Sequence, residues 1–439
     1  MIRTISDDIG FESVDSPQLA ADELLESTLP EAGRTWDEIH KELIGLKAGD
    51  YDWRRGRVPL YVYHASEELL AVSKGAYMEY FSENALGSRA FPSVAQMERG
   101  LLRMAQNLFQ APAESAGSFT SGGTESIFLA VKAARDSFRS KHPKVSSPRL
   151  VVPRTAHPAF DKAAQYLNVE VVRVRVGSDL RVDISALEDA INSTTMMIVG
   201  SAPCYPYGVF DRIDLLGEIA AERDMWLHAD ACLGGFLAPF ARDEGYPIPD
   251  FDFRIPGVTS LSADFHKYGL SARGASVILY RNANLKRFQG FRFDNWPRGN
   301  YATETFLGSR PAGSVASAWA VSQYLGRDGY RKLARKIMEA KARLVEGIGH
   351  IQGLEVIRPS ELSIVLFKSI DAKVDINAVA DGLTERNWFV GRSREPQALH
   401  FALNTVHAPV IGRYLEDLGD VVQHVRAAGR IGKSDENTY

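Results

Sequence analysis

Short apolar runs rich in β-branched residues alternate with amphipathic stretches from about residue 56 to residue 315. LVV from Leu150, VEVVRVRV from Val169, TMMIVG from Thr195, MWLHA from Met225, VTSLS from Val258 and ASVILY from Ala275 read as strands. Between several of them, stretches such as Asp183 to Asn192 and Asp211 to Arg223 carry apolar side chains at helical spacing. Strands alternating with helices predict an α/β fold with a mostly parallel sheet covered on both faces. Ligands of such sheets gather at the carboxyl ends of the strands. A long helix is expected next, with Tyr330, Leu333, Ile337, Leu344 and Ile348 on one face. After it, the strands LEVIR, SIVLFK and LHFAL alternate with helices, the pattern of a smaller α+β domain. The expected organisation is a polar N-terminal arm with two helical patches (1–55), a large domain (56–315), a small C-terminal domain (316–430) and a polar tail (431–439), with GKSDENTY frayed at its end. Internal repeats and low-complexity tracts are absent from the sequence.

Residues 118–126 read SFTSGGTES and run directly into IFLAVKAARDSFR, where Ile127, Val131, Ala134 and Phe138 recur at helical spacing. A helix therefore starts near Thr124. Gly122 and Gly123 let backbone approach a ligand closely, and Thr124 and Ser126 put hydroxyls beside the unpaired N–H groups of the first turn. Such a helix start suits a phosphate. The helix dipole supplies only about 0.3–1 kcal/mol, so hydrogen bonds must do most of the holding. The plainer reading is a capped helix after a glycine turn, with Glu125 complementing the dipole.

Two later motifs close strands. HADACLGGF places Asp230 at the end of MWLHA, and SADFHKYG places His266 and Lys267 just after VTSLS. Pyridoxal phosphate needs an amine for its aldehyde, a carboxylate at its ring nitrogen and a cup for its phosphate. Lys267, Asp230 and the SGGTES loop match those needs in turn. A lone lysine is usually a solvated charge and a lone HxD usually a cap; three such motifs, each at a junction of the α/β pattern, point to one cofactor site holding a Schiff base on Lys267.

Composition narrows the partners. The 439 residues are 45% hydrophobic and 24% charged, ordinary for a globular protein. Lys and Arg total 51 against 55 Asp and Glu, a balance that gives no broad reason to expect nucleic acid or an anionic membrane. Two cysteines, Cys204 and Cys232, could form one disulfide, but as two thiols in so long a chain they fit a reducing cytoplasm better, and they are too few for a cysteine-based zinc site; no metal is expected. The acidic start MIRTISDDIGFESVDSPQ lacks the basic and apolar parts of a secretory signal. No apolar run approaches the roughly 20 residues of a bilayer span, so no integral membrane segment is expected.

VYHASEE, NALGSRAFPS, SFTSGGTES, VPRTAHPAFDKAA, PYGVFD, HADACLGGF, SADFHKYG and LGSRPAGS, in this order, resemble the pyridoxal-phosphate enzymes of fold type I. Within the group II decarboxylase-like enzymes, the chain is most similar to the sphingosine-1-phosphate lyase family. That resemblance implies a mostly parallel seven-stranded sheet and a small C-terminal α+β domain. It implies that His157 stacks on the cofactor ring, that Gly123, Thr124 and His266 hold the phosphate, and that Ser309 reaches it from a neighbouring subunit, which makes a homodimer with shared active sites. The implied reaction is a retro-aldol cleavage of a phosphorylated long-chain amino alcohol, or a related anionic amine, with release of an aldehyde.

The family's cluster for the substrate phosphate is altered. Tyr63 and Asn84 are present, but the family's NPLH reads Asn84-Ala85-Leu86-Gly87, its lysine after the cofactor lysine is Arg273, and its PHG is Pro206-Tyr207-Gly208. Arginine keeps the charge and can grip an oxyanion through two parallel hydrogen bonds, but it is not a proton donor. Tyr63, Asn84, Tyr207 and Arg273 are thus the expected substrate residues, for a phosphate, carboxylate, sulfonate or phosphonate. The competing reading within the fold is a pyridoxal-phosphate-dependent amino-acid decarboxylase, with Arg273 or a neighbour on a distal acid. A non-catalytic binding protein would have no need of Lys267 or Asp230.

Overall fold

A computed structural model describes residues 28–432. The N-terminal MIRTISDDIGFESVDSPQ and the last seven residues of the polar tail lie outside the described residues. Two units divide the chain, Met1–Asp52 and Trp53–Tyr439. In the first, Trp36–Leu46 is a helix because Thr35 and Glu38 form a reciprocal cap: the Thr35 hydroxyl accepts from Glu38 N, and the Glu38 carboxylate accepts from Thr35 N.

The second unit is built on seven strands, β1 (Ala116–Thr120), β2 (Arg149–Pro153), β3 (Glu170–Val174), β4 (Thr195–Ser201), β5 (Trp226–Asp230), β6 (Val258–Ala263) and β7 (Ser276–Tyr280). Their order across the sheet is β1-β7-β6-β5-β4-β2-β3. The pairs β2–β3, β2–β4, β4–β5 and β5–β6 are parallel, and β7 runs against both β6 and β1. All six strands read from the sequence are present; β1 is an addition. In β2 and β4 side chains alternate between two cores, which is why LVV and MMIV are continuously apolar: Val151 and Ile198 face one, with Leu227 and Leu261 of β5 and β6, and Leu150, Val152, Met197 and Val199 face the other.

Beyond β7, a two-stranded hairpin forms from β8 (Phe291–Phe293) and β9 (Tyr301–Thr303). The long helix spans Ala312–Gly349, with Tyr330, Ile337, Leu344 and Ile348 buried and Leu333 half-buried. Its path breaks at Gly326, where a φ of 55° takes the backbone out of the helical region at a residue without a Cβ. A four-stranded sheet follows, ordered β10-β11-β13-β12 and antiparallel throughout: β10 (Leu354–Val356), β11 (Ile364–Ser369), β12 (Gly391–Arg394) and β13 (Gln397–Ala402). Tyr268 ties this sheet to the large one: its buried hydroxyl lies 2.6 Å from both Ser363 Oγ and Leu403 O. No helix of the described residues is long and apolar enough to cross a membrane.

Burial pushes the imidazoles of His228, His400 and His407 down to about 4. Below their ordinary value near 6.5, the unfolded chain therefore binds protons that the folded chain refuses. Their contribution is complete above about pH 6.5 and is lost as pH falls toward about 4, by up to about 1.4 kcal/mol per pH unit for each imidazole. Asp211, pushed up to about 6 by burial, and Asp252, also raised by burial, act in the opposite sense, while His64, His157 and His266, lowered by burial, act with the first three imidazoles. Urea unfolding at pH 7 and pH 5 should show lower stability at pH 5; equal stabilities would contradict this account.

Candidate active site

Parallel pairing sets the carboxyl ends of β4, β5 and β6 side by side, with Ser201 opposite Asp230 and Asp230 opposite Ser262. A cavity of about 330 Å³ opens there, within the usual range of small-ligand sites. Gly123, Thr124, His157, Asp230, His266 and Lys267 all line it. Six residues spread over 145 positions of sequence thus meet around one space. A cavity of about 600 Å³ lies by Thr195, Trp226 and Thr259, at the opposite, amino ends of the strands. Its cations are engaged: Arg281 on the carbonyls of Val258, Phe253 and Ile255, Lys141 on Asp224, and Arg223 on Glu188.

Asp230 is buried and shaped by its own turn. Its Oδ1 accepts from Cys232 N at 3.1 Å and from Ser262 Oγ at 3.3 Å. Beneath it His228 is held by Ser260 Oγ at 2.8 Å and Ser262 Oγ at 3.1 Å. Lys267 sits in the turn after β6, and its Nζ lies 3.0 Å from Asp264 Oδ2. Burial disfavours the ammonium, but Asp264 outweighs it and raises the Lys267 pKa well above the usual lysine range. Burial likewise raises the Asp264 carboxyl, yet the charge of Lys267 wins and holds it below its ordinary value. His266 accepts from Ala275 N through Nδ1 at 3.3 Å, and burial lowers its pKa. Among the described residues no group of three or more His, Cys, Asp or Glu side chains is placed to hold a metal ion.

The helix Gly123–Lys141 begins at the cavity wall. A Cβ on Gly123 would stand 2.8 Å from Cys232 Sγ and 2.9 Å from Asp264 Oδ2, so only glycine fits here without displacement. Glu125 does more than complement the dipole. Its Oε2 accepts from Ser121 N at 2.7 Å and its Oε1 from Phe306 N at 2.7 Å, which fastens the loop before the helix to the segment before Ser309. Ser126 corrects an expectation. Its hydroxyl faces the sheet, 2.6 Å from Thr120 Oγ1 and 2.9 Å from Ser276 Oγ, and takes no part in the cavity. His157 accepts from Ala159 N through Nδ1 at 3.1 Å, which leaves the proton on Nε2 of a ring that burial keeps neutral.

The expected substrate residues fall into separate groups. Arg273 stands with its guanidinium 5.8 Å from the centre of the Tyr63 ring, and Tyr63 meets Tyr268 edge-on at 4.9 Å. Tyr207 donates to Glu395 O in the hairpin between β12 and β13. Asn84 donates to Ser309 Oγ at 2.9 Å and accepts from Leu86 N and Arg310 N. Neither Asn84 nor Ser309 lines the cavity of its own chain. Sequence reasoning missed Asp264, Cys204 and Tyr205 as cavity residues. Only Asp264 left a signal, three positions before Lys267 inside the same motif.

A cavity with an amine, a carboxylate, a flat neutral ring and a helix start carrying unpaired N–H groups fits pyridoxal phosphate group by group. Residues 21–370 match the model of the pyridoxal-dependent decarboxylase conserved domain. A sphingosine-1-phosphate lyase of Oryza sativa is 40% identical over 411 residues, 92% of this chain and 75% of that protein. A solved structure of sphingosine-1-phosphate lyase from Burkholderia pseudomallei superposes with a TM-score of 0.87 at 35% identity, covering 92% of this chain and 94% of that one. Glutamate decarboxylase of Lactobacillus brevis shares the fold, at a TM-score of 0.81 and 19% identity over 91% of this chain and 95% of that one. The chain belongs to the pyridoxal-dependent decarboxylase family, on its sphingosine-1-phosphate lyase side, and is a fold type I lyase whose cofactor is pyridoxal 5′-phosphate.

Proposed function

We propose that this lyase breaks a carbon–carbon bond in a phosphorylated long-chain amino alcohol such as sphingosine 1-phosphate, or in a related anionic amine, and releases an aldehyde. The observation that carries the reading is the meeting of Lys267, Asp230, His157 and the Gly123–Thr124 helix start around one cavity. Lys267 would hold the cofactor covalently. Asp230 would keep a proton on the ring nitrogen, His157 would cover the ring face, and Gly123, Thr124 and His266 would hold the phosphate. Pyridoxal phosphate, when bound, supplies an electron sink for the bond that breaks.

Tyr63, Arg273, Asn84 and Tyr207 are assigned to the substrate. Arg273 brings a permanent positive charge and two parallel donors to the anion. Ser309 and Asn84 bond to each other outside their own chain's cavity, which supports their service to the site of a second copy, in a homodimer with shared active sites. Two free, buried thiols support a cytoplasmic location, which cell fractionation would check.

Incubation of the loaded protein with sphingosine 1-phosphate and shorter phosphorylated amino alcohols should release aldehyde, from a species of twice the 48.5 kDa chain mass. Carbon dioxide release from an amino acid, with the phosphorylated alcohols untouched, would replace this reading by the decarboxylase one. A monomeric active species would remove the shared-site assignment of Ser309.

A further inference from the structure

Asp264 is 2% exposed and stands where β6 gives way to the turn that carries Lys267. Its Oδ2 touches Lys267 Nζ at 3.0 Å and lies 3.6 Å from His266 Nε2. Its Oδ1 is buried without a hydrogen-bond partner, against the open side of Gly123. A buried carboxylate with one oxygen unsatisfied is held in place by its ion pair.

We propose that Asp264 is a positioning residue for Lys267, clamping its amine as an ammonium ion before the cofactor is attached, so that loading proceeds only as that proton is lost. The proposal rests on Lys267 being the cofactor lysine. Attachment joins Nζ to the aldehyde carbon, and the carbonyl oxygen leaves as water. The attacking nitrogen needs a free electron pair, so the ammonium first releases its proton to solvent.

The other titratable groups facing the amine or its cavity are His266 on its own turn, Asp230 and Cys232 at the end of β5, Tyr63 from the segment before the helix Glu67–Glu79, and His157 before the helix Ala159–Leu167. Burial keeps both imidazoles and the Cys232 thiol in their neutral forms. Asp264 is left as the charge in contact with the amine. An opposite charge at this distance commonly shifts an ionisation by about 1–3 pH units, or about tenfold to a thousandfold in the neutral fraction.

The cofactor-free full chain is to be labelled briefly with acetic anhydride across a pH series, and acetylation at Lys267 compared by peptide mass spectrometry with that at exposed Lys74. The midpoint for Lys267 should lie above that for Lys74, and Asp264→Asn should lower it by about one unit or more. Pyridoxal phosphate uptake, read by visible absorbance, should shift along the pH axis with the labelling. A wild-type Lys267 midpoint at or below that of Lys74 overturns the proposal, whether or not the variant folds. So does a folded Asp264→Asn variant with an unmoved midpoint. If instead Lys267→Ala still takes up cofactor covalently, the assignment of the lysine itself has failed.

Discussion

Lys267→Ala should abolish covalent cofactor uptake and reduce turnover by at least about a thousandfold, the scale lost when a group that bonds to the reacting system is deleted. The effect has a second component. Asp264 is fully buried with Lys267 as its 3.0 Å partner, and Lys267→Ala leaves the carboxylate without that charge. Removing one member of a fully buried pair commonly costs about 3–5 kcal/mol; here the cost is smaller, because Lys267 is a quarter exposed and Asp264 can take up a proton. The Lys267→Ala chain should therefore melt below the wild type at pH 7 and recover ground as the pH is lowered or when Asp264→Asn is added. Absorbance of the loaded cofactor and thermal melting separate the two components. Retention of the covalently bound chromophore in Lys267→Ala would remove this lysine from its role.

Asp230→Ala should show a different signature. Lys267 is untouched, so cofactor remains attached, but the carboxylate assigned to the ring nitrogen is gone. Cys232 N and Ser262 Oγ lose their acceptor at the same time. A loss of about 3–4 kcal/mol of transition-state stabilisation corresponds to about 10²–10³ in turnover. Loaded, coloured and slow is the expected phenotype, measured as the rate per bound cofactor. Wild-type turnover per cofactor would exclude Asp230 from the assigned role.

Five of the six strands read from the sequence were legible because they lie inside the sheet and are almost wholly buried, and the edge strand β3, with only Val174 buried, showed through its repeated valines. β1 was not, since AGSFT contains one large apolar residue. It is a strand because Gly117 lets β7 come close: a Cβ there would meet Leu279 Cδ2 at 2.5 Å. The hairpin of β8 and β9 escaped for a similar reason, being three residues a side with Phe291 and Phe293 exposed. At the site, strand ends gave Asp230, His266 and Lys267 their positions, and the glycine pair gave the helix start. The direction of a hydroxyl was beyond such reading: Ser126 is one turn residue among several, and the sheet claims it. Asp264 was in plain sight but depends on a turn folding back by three residues, a geometry that spacing alone does not specify.

The hydroxyl of Tyr268 has a mechanical consequence. It belongs to the residue next to Lys267, and it is anchored in the neighbourhood of β11 and β13 through Ser363 and Leu403. Any hinge that separated the two sheets would have to rupture buried hydrogen bonds or drag the backbone of Lys267 along with the moving part. The backbone beneath the amine is thus coupled to the four-stranded sheet as well as to the seven-stranded one.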